Sequence, residues 1–149
     1  MLKEQMLPVN YSIEDKLQVI PTKVSYEYIE DELKTIQYEV TIKGKRFISK
    51  AADVTEYGIK NLQKALPENT KIVACQTCRY GHFNPYGDND NEIFCLKDIQ
   101  PHNLVELREI FSTGADLENR KRHLLDYCSK YRPISLKDCF TYNDWEWKE

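Results

Sequence analysis

Cys75 and Cys78 are separated by two residues in Ala74-Cys75-Gln76-Thr77-Cys78-Arg79-Tyr80-Gly81, a gap that lets both sulfurs chelate one soft metal ion. Three more cysteines follow, at Cys95, Cys128 and Cys139. Four thiolates drawn from distant parts of a chain make a tetrahedral site that zinc fills readily, because its borderline-soft acidity suits sulfur. A site closed by four protein ligands keeps no position for a catalytic water, so the expected role of the metal is architectural. Cys75 and Cys78 would form the turn around it, with Gly81 giving the backbone freedom to fold back over the ion. Cys95, at the end of Glu92-Ile93-Phe94-Cys95, would return to the same point on a strand.

The fourth ligand is contested. Cys128 falls on the apolar stripe of an expected helix, where a free cysteine ordinarily serves as a small buried hydrophobe. Cys139 lies in the polar, irregular stretch Ser135-Leu136-Lys137-Asp138-Cys139-Phe140, which has little packing reason to hold a thiol. Cys139 is therefore preferred, with Cys128 as the rival and His82 or His102 as nitrogen alternatives. The segments Cys75-Gln76-Thr77-Cys78-Arg79-Tyr80, Phe94-Cys95-Leu96-Lys97-Asp98 and Asp138-Cys139-Phe140-Thr141-Tyr142 together resemble small uncharacterised bacterial and phage proteins. Those carry a CxxC, an aromatic shortly after it, a third cysteine and a late Asp-Cys-aromatic. The resemblance implies metal binding through Cys75, Cys78, Cys95 and Cys139, and no particular activity. It covers the cysteine segments and not the N-terminal sheet, and in this chain two expected helices stand between the third and fourth cysteines.

An iron-sulfur cluster is the alternative cofactor, because four cysteines hold it as they hold zinc, although the usual ferredoxin spacings are absent. A thiol-redox or metal-sensing role for Cys75 and Cys78 is the alternative function. Redox pairs of the thioredoxin type open a helix that depresses the thiolate pKa, whereas Tyr80 to Asn91 has no helical pattern. Asp88-Asn89-Asp90-Asn91-Glu92 has oxygen donors like the opening of a calcium loop, but lacks the glycine at position six and the glutamate at twelve, and reads as a polar turn. No Ser-His-Asp order, nucleotide-binding glycine loop or HExxH helix occurs, and the three histidines have no plausible nucleophile beside them. The chain does not read as an enzyme.

A net charge of -3 and a pI near 5.7 give no electrostatic reason to expect nucleic acid. The one basic cluster, Asn119-Arg120-Lys121-Arg122-His123, sits beside Asp116, Glu118 and Asp126 and reads as a solvated helix face. No apolar run reaches the ~20 residues that cross a bilayer, and Met1 to Asn10 lacks the features of a signal peptide, so no membrane contact and a cytoplasmic location are expected. There thiols stay reduced, and five cysteines read as four ligands and one spare. The loop with His82, Phe83, Tyr86 and the carboxylates Asp88, Asp90 and Glu92, in a chain with ten tyrosines and two tryptophans, suggests a surface for a protein partner. The expected function is that of a small interaction or regulatory protein. Tyr142 to Trp147 is expected to form a last strand or tail over the metal site.

The elements that would position these residues read as an α+β fold: a small antiparallel sheet with a packed helix, then a cysteine-rich metal knot and two helices. At 149 residues the chain fits one domain, with the sheet and helix in 17–74 and the cysteine-rich helical part in 75–149. Val24, Tyr26 and Tyr28, then Ile36, Tyr38, Val40 and Ile42, alternate with polar residues as half-buried strands do, with Glu30-Asp31-Glu32 between them. Lys43-Gly44-Lys45 turns the chain into Arg46 to Ser49, while Leu17 to Ile20 reads as an edge strand stopped by Pro21. No element is expected before Leu17. Asp53 and Glu56 have the spacing of a capping box for a helix carrying Val54, Tyr57, Leu62, Ala65 and Leu66, and Thr70 to Ala74 reads as a short strand. Pro101 is expected in the first turn of a helix ended by Gly114, and a second helix is expected from Asp116 to Tyr131.

Overall fold

The computed structural model describes residues 2–114, 116–135 and 137–145, and the chain divides into two compact units, 1–72 and 73–149. It is an α+β protein built from antiparallel sheets and, among the described residues, three α-helices.

In the first unit, β1 (Lys3–Ile13), β2 (Lys16–Ile29), β3 (Glu32–Ile42) and β4 (Lys45–Ile48) run as a curled meander, and β5 (Thr70–Ile72) joins outside β1. The hairpin turns Glu14-Asp15, Glu30-Asp31 and Lys43-Gly44 have φ between 51° and 78° at all six residues. Positive φ at both positions marks primed turns, whose twist matches that of the strands they join. The alternation in β3 buries Ile36, Tyr38, Val40 and Ile42. In β2 it buries Val24, but a register shift at Glu27/Tyr28 leaves Tyr28 half exposed.

Two expectations fail in this sheet. The residues before Leu17 form the eleven-residue β1, and Leu17 to Ile20, which pairs with β1 alone, is the start of β2, a strand that continues through Pro21 to Ile29 instead of stopping there. Pro8 and Pro21 face each other across the β1–β2 ladder. Neither can donate a hydrogen bond, so the pair is tolerated where the backbone nitrogens of both strands turn away from each other. On its other side β2 begins to pair with β3 only at Lys23↔Glu39, two residues beyond Pro21, while the end of β3 pairs with β4. The strands diverge where Pro21 has no N–H to offer, and the sheet curls.

α1 (Thr55–Ala65) buries Thr55, Gly58, Ile59 and Leu62. A Cβ at Gly58 would stand 3.0 Å from Ile36 Cγ2 and 3.1 Å from Tyr38 Cε2, so the missing side chain is what lets the helix lie on β3. The expected capping box is not made, because Val54 occupies the N-cap and contributes no side-chain bond. Tyr57, expected on the apolar stripe, is half exposed.

The second unit opens on a single 3-10 turn, Cys75–Thr77, and contains a small sheet in the order β6 (Gly81–His82), β7 (Ile93–Cys95), β8 (Lys121–Arg122). Two helices follow β7: α2 (Leu104–Thr113) and α3 (Leu117–Arg120). Phe94, Leu96, Leu107 and Phe111 form the core, with the Phe94 and Phe111 rings edge to face at 5.2 Å. Asn103, not Pro101, begins α2: the Glu106 N–H donates to Asn103 Oδ1 at 2.9 Å, and Gly114 closes the helix at φ +69° as expected.

The long second helix is replaced by one short turn. Only Leu117–Arg120 is helical, and Lys121 is extended and pairs with Phe94 as part of β8. Beyond it the chain runs irregularly through Cys128, with two local turns, at His123–Asp126 and Cys128–Tyr131, and otherwise with backbone bonds to other segments of the unit.

Candidate metal centre

The cysteines of the candidate site are delivered by separate local devices, Cys75 and Cys78 by a shared one. Cys75 and Cys78 sit at the two ends of one tight turn, where the Thr77 N–H donates to Ala74 O and the Cys78 N–H to Cys75 O. The Gly81 N–H then donates to Cys78 O at 3.0 Å and brings the chain back over the turn. A Cβ at Gly81 would overlap the carbonyl oxygen of Cys75 and come within 2.9 Å of Ile93 Cδ1. The glycine is therefore required by close approach, and not by the backbone freedom expected of it, since its φ is not among the positive ones. Cys95 ends β7 directly opposite Gly81 in the β6–β7 register.

Cys128 arrives by a different route. The Cys75 N–H donates to Asp126 O at 2.7 Å and the Gln76 N–H to Leu124 O at 3.0 Å. Further along, the Ile134 N–H donates to Thr77 O and the Arg79 N–H to Arg132 O, and Tyr131 Oη shares a 2.8 Å hydrogen bond with Thr77 Oγ1. The segment 124–134 thus wraps the CxxC turn residue by residue, and Cys128 stands on that wrap. It is exposed and lies outside any helix, so the reason for reading it as core filler does not hold.

Cys75, Cys78, Cys95 and Cys128 line one cavity of about 410 Å³, together with Arg120 and Asp126. Cys139 does not line it: its Sγ donates to Ser135 O at 3.3 Å. As the side chains stand, no group of three or more His, Cys, Asp or Glu among the described residues is gathered closely enough to hold a metal ion. All five thiols are free. Burial pushes the Cys75 thiol up to about 12, and the Asp126 carboxylate and then Cys78, Cys95 and Cys128 add to the shift. Burial also raises Cys78. Without positive charge these sulfurs hold their protons, and a coordinated cation reverses that preference.

The nitrogen alternatives are used elsewhere. His82 is buried and its Nδ1 accepts from the Tyr142 N–H at 3.0 Å, while the Phe83 N–H donates to Tyr142 O, so the histidine holds the chain around residue 142 to β6. His102 is exposed at the start of α2, with Nδ1 2.9 Å from Glu106 Oε1. Burial lowers the His82 pKa to about 4, below its ordinary value of 6.5. The unfolded chain then binds a proton that the folded chain refuses, so stability should fall as pH drops from about 6.5 to about 4, by up to ~3 kcal/mol. Thermal melts across that range should show the loss, and His82→Gln should flatten it.

The acidic turn is exposed at Asp88, Asn89 and Asp90 and bonds to its own unit. Asp88 Oδ1 accepts from the Asn84 N–H, and burial raises its pKa to about 6. Asn91 has φ 59° and its Oδ1 accepts from the Leu124 N–H, and Glu92 pairs with Lys121 at 3.4 Å. In the expected recognition loop Tyr86, Asp88 and Asp90 are exposed, with the Tyr86 hydroxyl 3.0 Å from Ser112 Oγ, while His82 is buried and Phe83 and Glu92 are half buried. Residues 146–149, including Trp147 of the expected tail, lie outside the described residues. Sequence reasoning missed Arg120, whose guanidinium reaches both Cys95 O and Asp98, because that pairing spans more than twenty residues and follows from β8, an element with no periodic signal.

These features define an α+β chain with a cluster of cysteines at a turn between its small strands. Its sequence matches no protein-family model and no curated protein. No helix among the described residues is long and apolar enough to cross a membrane.

Proposed function

We propose that the chain is a small protein with a structural zinc-thiolate centre at Cys75, Cys78, Cys95 and Cys128, acting through binding to another protein. The observation that carries this reading is that four cysteines from three separated segments border one cavity. Binding would require the four side chains to rotate about bonds with several staggered positions each until the sulfurs stand ~2.3 Å from one zinc ion. Four thiolates complete the coordination of zinc, so the metal ties the CxxC turn, the end of β7 and the wrap into one unit without exposing a reactive water. Cys128 takes the place expected of Cys139, which is engaged with Ser135. The high pKa of Cys75 weighs against a redox role, which calls for a depressed one. Reduced sulfur in the centre fits a reducing compartment such as the cytoplasm.

Elemental analysis of the full chain purified from metal-replete cells tests this. The wild type and Cys139→Ser should each carry about one zinc, and Cys128→Ser well under half of that. A brown protein containing iron would replace zinc by a cluster, and a metal-free wild type would end the proposal. Zinc retained by Cys128→Ser and lost by Cys139→Ser would return the fourth position to Cys139.

A further inference from the structure

Arg120 borders the cysteine cavity, as do Lys97, Arg122 and Lys130, and it bonds to the backbone of a candidate ligand. Its side chain is 14% exposed. It ends α3, immediately before β8, the strand that pairs with the Cys95-bearing β7. Nη1 donates to Cys95 O at 3.2 Å and also to Asp98 Oδ1, and Nη2 donates to Asp98 Oδ2 at 3.0 Å. The fork is thus anchored on a carboxylate at one side and on the backbone of a candidate ligand at the other, with the cavity in front of it.

A divalent ion with four thiolates carries a net charge of -2, and separating that charge from water is costly unless fixed positive charge or N–H dipoles face it. Resting on the zinc-thiolate reading above, we propose that Arg120 is the positioning residue of the centre: it fixes the Cys95 backbone and holds a cation beside the doubly negative metal-thiolate group. Asp98 orients the guanidinium and keeps it from swinging into solvent. The preference this creates is for a dianionic tetrathiolate, so a ligand set that lost one thiolate would lose part of the attraction as well as a bond.

Cobalt(II) reports on both ideas separately, because thiolate-to-metal absorption appears only when sulfur is coordinated. The full chain is titrated with Co²⁺ in competition with a chelator, as wild type, Arg120→Lys and Arg120→Gln. Glutamine keeps a donor for Cys95 O but no charge, and lysine keeps the charge without the fork. The expected result is tetrathiolate absorption in all three, with affinity reduced about tenfold to a hundredfold in Arg120→Gln and only about threefold in Arg120→Lys. Far-UV circular dichroism checks that the glutamine variant folds. Should it not fold, the lysine variant decides, and a loss beyond about tenfold there overturns the proposal. Equal affinities for the two variants, whether both near wild type or both weak, also overturn it, because the charge then has no separate effect. A wild type with no thiolate absorption at all rejects the metal centre itself, a different failure from any result on Arg120.

Discussion

Cys75→Ser is expected to unfold most of the second unit. Structural zinc bound by thiolates contributes ~10 kcal/mol or more in small domains, which is as large as the whole stability of an ordinary domain. The second unit has little else of that size to rely on: among the described residues its sheet consists of strands of two, three and two residues, and one of its two α-helices is a single turn. Serine keeps the shape of cysteine but offers a hydroxyl that zinc binds poorly, and it sits in the CxxC turn on which the wrap depends. Hydrogen exchange read by mass spectrometry should show amides in 75–82, 93–95 and 121–134 losing protection in this variant. Treating the wild type with a chelator should produce the same pattern. A variant with unchanged protection and melting temperature would mean that no metal holds these segments.

Gly81→Ala is the second large effect, and it acts through backbone geometry, leaving every ligand in place. The new Cβ would overlap Cys75 O, a backbone atom that cannot rotate away as a side chain can, and would press on Ile93 Cδ1. Relief requires the CxxC turn to move away from β7, which parts Cys75 and Cys78 from Cys95 because Gly81 and Cys95 are partners in the sheet. The expected cost is ~3 kcal/mol or more, with zinc content falling alongside. Gly87→Ala supplies the comparison. Gly87 has φ +118° and nothing within 4 Å of the position a methyl would take, so alanine there should cost ~1–3 kcal/mol of local backbone strain and leave the metal bound. Equal losses of zinc in the two variants, or none in Gly81→Ala, would show that the close approach at Cys75 is not what shapes the centre.

Much of the first unit was legible in the chain. Ile36 to Ile42 alternate cleanly, and Lys43-Gly44 has the chemistry of a primed turn, so β3, β4 and their hairpin follow from local patterning. β1 and the passage of β2 through Pro21 did not, because a proline taken singly reads as the end of a strand. Pro8 and Pro21 are harmless only because each faces the other, a fact of register and not of composition. The span from 116 to 131 failed for the opposite reason. Leu117, Leu124, Cys128 and Tyr131 recur at helical intervals, yet pairing of Lys121 with Phe94 and the bonds from Cys75 and Gln76 to Asp126 and Leu124 pull it into an extended path.

The cysteine cluster divides along the same line. Two residues between Cys75 and Cys78 suffice to place both sulfurs on one turn, and a short apolar run into Cys95 marks the strand that returns, so three of the four candidate ligands were determined by local sequence alone. That Cys128 borders the cavity and Cys139 does not was decided by the tertiary structure. It turns on hydrogen bonds between backbones about fifty residues apart in sequence, such as Cys75 N–H to Asp126 O, and backbone groups look the same whatever side chains they carry. Side-chain type and spacing record what a segment can do locally, whereas which distant segment its free N–H groups find is decided only when the chain has folded.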